Sequence, residues 1–215
     1  MLNLDDNPNC CLSGGADGAD LEWGMAADQL GHGVVHFSFA GHKTHAPAHQ
    51  LVLLSNEQLT AADPYCHAAN KTLCRRFPIK SINGTNLLRR NWYQVTVAPV
   101  CYSVSTLAMP PGPTIPLDIV VTGQVQGGTA WAVQMFIDRH KGRACPCYLF
   151  DQIAAQWFQW NGDGWRCIYE PPTPVGVYAA IGSRDLRPIG RTAIRVTMNY
   201  KNLHDDSAFR RPLGG

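Results

Sequence analysis

Cys11-Leu12-Ser13-Gly14-Gly15-Ala16-Asp17-Gly18-Ala19-Asp20 and Ile181-Gly182-Ser183-Arg184-Asp185 lie near opposite ends of the chain but share one pattern. Each follows a short apolar run, turns on glycine, and precedes a stretch that can be helical. In a strand–turn–helix unit, such a turn aims backbone N–H groups at an anion in front of a helix N-terminus. A third turn, Gln126-Gly127-Gly128-Thr129-Ala130, opens another helix-like segment mid-chain. Three such turns in 215 residues point to a phosphorylated ligand, with a nucleotide as the leading candidate.

Around these turns the chain alternates strand-like and helix-like segments. Strands are expected at 8–12, 34–39, 100–105, 147–150 and 176–181, and 119–121 reads as a strand or as the return of the loop before it. Helices are expected at 18–30, 56–73 (one or two, interrupted at Asp63-Pro64), 84–98, 128–140 and 189–203. Residues 40–50, with His42, His45, His49 and Pro47, read as loop, as does the proline-rich stretch 109–116. Gln156–Trp160 and Trp165–Tyr169 flank Asn161-Gly162-Asp163-Gly164, the signature of a β-hairpin. The expected fold is therefore α/β: a Rossmann-like, doubly wound, mostly parallel sheet with a small hairpin extension at about 156–169. It forms a single domain over 1–215, with a tail expected to fray and be disordered from about 205.

Composition sets the bounds. Hydrophobic residues are 45% and charged residues 16%, enough apolar material for a core. The formal net charge of +2 supplies no dominant basic field, which argues against nucleic acid as a partner. No apolar run approaches the ~20 residues of a membrane span, and Met1–Asp6 has no signal-peptide character. A cytoplasmic protein with eight reduced cysteines is expected, and no membrane partner. Cys10-Cys11 and Cys145-Pro146-Cys147 do not form a C-x-x-C framework, so no metal site is expected. The histidines at 32, 36, 42, 45 and 49 read as surface or loop residues, since neither 32/36 nor 45/49 falls on one regular helix.

The motifs resemble those of the SLOG superfamily, Rossmann-like domains related to LOG proteins, the DNA-processing protein DprA and bacterial molybdenum-cofactor carriers. Ser13–Asp20 is similar to the family's S-G-G-A-x-G-A-D turn. Arg90-Asn91 with Val95 and Ala98 is similar to its R-N-x-x-x-V-x-x-A-D helix, although Pro99 replaces the Asp. Gly127-Gly128-Thr129-Ala130 is similar to the G-G-T-A turn of the cofactor carriers. In the usual order a G-S-R-D strand comes first. Here Gly182-Ser183-Arg184-Asp185 comes last, so the resemblance implies a circularly permuted, YpsA-like member. It also implies homo-oligomerisation, for which 149–160 is a candidate interface. The LOG enzymes use a Glu in P-G-G-x-G-T-x-x-E to cleave an N-glycosidic bond, and Gln126–Gln134 lacks it.

The candidate ligand-binding residues follow from these motifs. Gly14, Gly15 and Gly18 would let amides approach phosphate, as would Gly127, Gly128 and Gly182. Arg184 is the candidate for a direct charge on phosphate, or else an ion-pair partner of Asp20 or Asp185. Ser13, Ser183 and Thr129 offer hydroxyls. Asp17 can meet a ribose hydroxyl or a cation, and Arg90 and Asn91 border the site. Asp20 is expected to cap its helix or accept from a neighbouring turn. Trp23, Trp131, Trp157, Trp160 and Trp165 are candidates to stack on a base. Arg75-Arg76 reads as solvated surface.

The leading functional expectation is a protein that binds an ADP-ribose-like, cyclic signalling nucleotide or molybdenum-cofactor-type ligand. It would act as a carrier, sensor or sequestering sponge, a role that also suits a phage anti-defence protein. The first alternative is a nucleotide-processing hydrolase or phosphoribohydrolase using Asp17, Glu22 or Asp185. The second is single-stranded DNA binding. Whether the chain is an enzyme stays open at this stage, with binding favoured because no catalytic constellation is readable.

Overall fold

A computed structural model describes residues 8–108 and 114–199. Strand β1 (Cys10–Ser13) passes through the first glycine turn into α1 (Ala19–Gln29), followed by β2 (Gly33–Phe39) and β3 (Leu51–Leu54). Three helices, α2 (Asn56–Ala61), α3 (Asp63–Leu73) and α4 (Ile82–Val95), carry the chain to β4 (Val100–Ser105). Then come β5 (Val120–Val121), α5 (Thr129–Arg139), β6 (Cys147–Asp151), the hairpin of β7 (Gln156–Trp160) and β8 (Trp165–Ile168), β9 (Val177–Gly182) and α6 (Pro188–Thr197).

The strands form one nine-stranded sheet in the order β3-β2-β1-β9-β4-β6-β7-β8-β5. Neighbours from β3 to β6 pair in parallel, and β7, β8 and β5 extend that edge antiparallel. The fold is α/β and Rossmann-like, and the hairpin is an in-plane extension of the sheet. The last strand, β9, lies centrally, with Tyr178 opposite both Cys11 of β1 and Val100 of β4. Its run Val177-Tyr178-Ala179-Ala180-Ile181 is apolar throughout because helices cover both faces.

Strand alternation sorts the core into two layers. Cys10, Leu12, Ala179 and Ile181 face a cluster with Trp131, Phe136 and Leu149, under α3, α4 and α5. Cys11, Tyr178 and Ala180 face a cluster with Trp23, Tyr102 and Ile194, under α1 and α6. α1 carries its own ion cluster on that side, where buried Glu22 accepts from Arg195 Nε at 3.2 Å and pairs with Arg191 at 3.3 Å.

Several boundaries differ from the sequence expectation. β3 was not expected; Leu51–Leu54 pairs with only one neighbour and leaves Val52 and Leu53 exposed, so it shows no inward–outward alternation. α4 runs 82–95 rather than 84–98, because Ser81 Oγ accepts the Gly84 N–H at the start and the chain leaves the helix ahead of Pro99. α2 and α3 are separate helices divided at Ala62, and Ser55 and Gln58 close a capping box on α2. α6 ends at Thr197; the rest of the expected helix and the tail from 205 lie outside the described residues. Within 149–160, Leu149, Phe150, Trp157 and Phe158 are buried in this chain's own core and Ile153 is exposed. Among the described residues no helix is long and apolar enough to cross a membrane.

Candidate functional site

The three glycine turns lie at the carboxyl ends of the strands, but they are not equivalent. The first and second close on each other. Ala19 N–H, at the start of α1, donates to Ser183 O at 3.0 Å, and Leu21 and Glu22 N–H donate within the turn to Ala16 O and Gly18 O. Gly18 has φ +96°, and a Cβ there would strike the Ser183 and Arg184 carbonyl groups. Both turns direct amides at the carboxylate of Asp20. Gly182 N–H donates to Oδ1 at 2.9 Å, and the Ala16 amide faces the same group. Arg90 Nη1 and Nη2 donate to Oδ2, each at 3.1 Å. Asp20 and Arg90 side chains are each 5% exposed. Burial pushes the Asp20 carboxyl up, against the opposing pull of Arg90 and the two amides.

This arrangement revises the roles of the first-turn residues. Gly14 is small because the Arg90 guanidinium lies where its Cβ would be. Gly15 packs under Thr44, whose hydroxyl donates to Gly15 O, and against His36. Ser13 Oγ donates to Asp20 O at 3.0 Å. None of Ser13, Gly14, Gly15 or Gly18 lines the main cavity, and the anion held by the first two turns is the chain's own Asp20.

The third turn is open. It borders a cavity of about 440 Å³ between α4, α5, the start of α1 and the end of β9, within the ~300–1,000 Å³ of small-molecule sites. A Cβ at Gly127, which has φ +66°, or at Gly128 would meet nothing within 4 Å, and both glycines are exposed. Gly128 precedes α5 with no side-chain cap, and Gly127, Gly128 and Thr129 line the cavity, so the uncapped, dipole-positive end of the helix lies at its border. The turn is held from behind. Arg75 donates to Gly127 O at 2.8 Å and Val125 O at 2.7 Å, and Asn91 Nδ2 donates to Gly128 O at 3.1 Å. Arg75, expected to be surface charge, is thus the clamp on this turn; its 50-residue separation from the turn hid that role.

Of the candidate residues, Arg90, Asn91, Gly127, Gly128, Thr129, Gly182, Ser183 and Arg184 share this cavity. Arg184 is exposed and makes no ion pair among the described residues, unlike Arg90. Ser183 Oγ already donates to Asp185 O and accepts from Gln152. Asp17 lies apart, paired with His45 at 2.7 Å. It lines a second cavity of about 320 Å³ with His42, Lys43 and Arg184. The two cavities share Leu87 and Arg184. Burial, reinforced by Arg90 and Arg184, pushes His42 down to about 4, leaving it neutral at pH 7.

Sequence reasoning missed Gln94. It lines the main cavity, is 1% exposed, and neither amide atom has a hydrogen-bond partner. Its one signal was its place on α4, three residues after Asn91. The tryptophans are elsewhere: Trp23, Trp131, Trp157 and Trp165 are buried in the core, and Trp160 packs edge-on against Trp165. His36 is not a surface residue but fully buried in β2, where burial and then Arg90 push it down to about 4. The titratable side chains of the main cavity are Asp20, Arg90 and Arg184; Glu22 belongs to the α1–α6 ion cluster on the opposite face. Among the described residues no three His, Cys, Asp or Glu side chains come together as metal ligands.

No family model, no curated protein and no solved structure matches this chain.

Proposed function

We propose that the chain binds a phosphorylated small molecule of the nucleotide type in the α4–α5 cavity and serves as its carrier, sensor or sequestering protein. The observation that carries this reading is the uncapped N-terminus of α5 at Gly127-Gly128-Thr129, open to the cavity, with Arg184, which has no ion-pair partner among the described residues, on the same lining. Amides, a helix dipole and an uncommitted guanidinium together suit a phosphate. The position beyond the strand carboxyl ends suits a doubly wound fold, in which ligands bind there. Binding is preferred to turnover because Asp20, the cavity's carboxylate, is committed to Arg90 and Gly182. The central place of β9 is the one its G-S-R-D strand would hold as first strand of an unpermuted chain, which supports a permuted SLOG-type domain. Homo-oligomerisation belongs to the same proposal.

The test is calorimetric titration with ADP-ribose, a cyclic nucleotide and a molybdopterin-type compound, alongside mass spectrometry of small molecules released on denaturation. Arg184→Ala is expected to weaken binding by roughly 10- to 100-fold, the range of one charge-assisted hydrogen bond, at unchanged melting temperature. Failure of every phosphorylated ligand to bind, with nothing released, would remove the reading.

A further inference from the structure

The α4–α5 cavity has polar groups at two levels, and only one of them is suited to phosphate. At the mouth are the α5 N-terminus and Arg184. Asn91 bonds to Gly128 beside that N-terminus, and Gln94 lies almost one helical turn further along α4. The apolar lining of the cavity includes Leu88, Ala132 and Ile181. Gln94 is neutral, so it adds no charge for an anion. It offers one acceptor and two donors, and all are unused. Arg90, four residues earlier on the same face, keeps its Nε–H buried and unpartnered while its two terminal nitrogens hold Asp20. Two neighbouring side chains that are nine-tenths buried and short of partners are costly unless something pairs with them.

We infer that this inner end of the cavity reads the edge of a planar heterocycle that carries a hydrogen-bond donor beside an acceptor, with Gln94 as the reading residue. The inference rests on the nucleotide reading above and adds the orientation: phosphate at the mouth, ring inward between apolar walls. A primary amide complements a donor–acceptor edge with two parallel hydrogen bonds, as Gln does with an adenine edge. Leu88, Ala132 and Ile181 supply aliphatic surface for the ring faces. The Gln94 amide atoms are buried from the cavity as well as from bulk water, so reading a ligand requires the flexible side chain to turn its amide into the cavity that the residue lines. A nucleobase and a pterin share this edge chemistry, so the test separates them.

The experiment compares the whole chain with Gln94→Met, which keeps side-chain length and removes both polar functions. Each is titrated with AMP, GMP, CMP and UMP, with a pterin phosphate, and with ribose 5-phosphate, which has the phosphate and sugar but no ring edge. At least one heterocycle is expected to bind wild-type protein roughly 10- to 100-fold more tightly than ribose 5-phosphate. Gln94→Met is expected to abolish that preference while leaving ribose 5-phosphate affinity unchanged. A nucleotide as the preferred ligand identifies a base site, and the pterin phosphate a pterin site. Equal affinity for ribose 5-phosphate and every heterocycle would overturn this inference alone, with Gln94 then satisfied by a bound water. An intact preference in a folded Gln94→Met variant would overturn it too. Absence of binding by all of them, ribose 5-phosphate included, would overturn both this inference and the phosphate reading. Melting temperature is recorded alongside; Gln94→Met is expected to match or exceed wild type, since it removes unpaired polar atoms from a buried position.

Discussion

Arg90→Leu tests whether the Asp20–Arg90 pair, rather than a ligand, organises the first two turns. The substitution keeps apolar bulk on α4 and removes the guanidinium that meets Asp20 at two 3.1 Å contacts. Both side chains are 5% exposed, so the carboxylate left behind is almost wholly dehydrated. Breaking a buried pair from one side costs about 3–5 kcal/mol. With a urea dependence of about 1–3 kcal/mol per molar, the midpoint at pH 7 should fall by more than ~1 M. The loss should also depend on pH. Burial already raises the Asp20 carboxyl, and Arg90 is the first influence opposing it. Without Arg90 the folded-state pKa rises further, so folded protein binds more protons than unfolded protein above the ordinary carboxyl range. Stability of the variant then falls as pH rises through that window, by at most ~1.4 kcal/mol per pH unit. The deficit against wild type should be small near pH 4 and largest near pH 7. Asp20→Asn with Arg90→Leu should recover much of it, because the amide oxygen still accepts the Gly182 N–H. Urea melts of the three proteins at pH 4.5 and 7 decide it. A loss under ~1 kcal/mol, a pH-independent deficit, or a double variant no better than the single would refute the argument.

Gly14→Ala should lower the melting temperature by several degrees, because its Cβ overlaps the Arg90 guanidinium. Gly128→Ala, with nothing within 4 Å, should leave melting unchanged and weaken phosphate ligands; if both variants melt alike, the turns are not distinct in the way described. Arg75→Ala should weaken the same ligands roughly tenfold by releasing Gly127 and Val125, with calorimetry as the readout and unchanged affinity counting against the clamp. His36 is neutral in the fold with its pKa near 4 against 6.5 unfolded. Its contribution is therefore intact above pH 6.5 and lost as pH falls toward 4. His36→Leu should flatten the stability profile across that window; an unchanged slope in urea melts would reject the assignment.

Much of the architecture was legible because its signals are local. Asn161-Gly162-Asp163-Gly164 specified a hairpin, and Val177–Ile181 had the unbroken apolar run of a strand covered on both faces. β3 escaped because an edge strand lacks a second partner to impose alternation on Leu51–Leu54. The cavity was legible only in part: the candidates on α4, at the α5 turn and at Gly182–Arg184 line it, whereas Ser13, Gly14, Gly15, Asp17 and Gly18 do not, and the division of labour between the turns was hidden. Arg90 and Asp20 are 70 positions apart, and nothing local distinguishes an arginine that will hold a carboxylate from one that will hold a phosphate. Gln94 escaped for a related reason: on a helix with a packing face, a glutamine next to that face reads as its polar margin until the cavity is seen.

The same ambiguity explains why three similar turns are built in two different ways. A glycine-rich turn ahead of a helix favours an anion, and the covalent origin of that anion is immaterial to the amides. Ser13–Asp20 carries its own carboxylate two positions into α1, and the Gly182 turn shares it. Arg90 neutralises the assembly, so an added phosphate would meet occupied amides and a compensated charge. Gly127-Gly128-Thr129 has no acidic residue in the first turn of its helix, and Arg75 and Asn91 bind its carbonyls while no side chain caps its amides. Under the function proposed above, the absence of an acidic residue in the first turn of α5, together with an Arg184 that has no ion-pair partner among the described residues, favours this turn for an external anion. Conversely, the Asp20–Arg90 pair joins α1, α4 and β9 at the cavity wall and so fixes the frame of that wall.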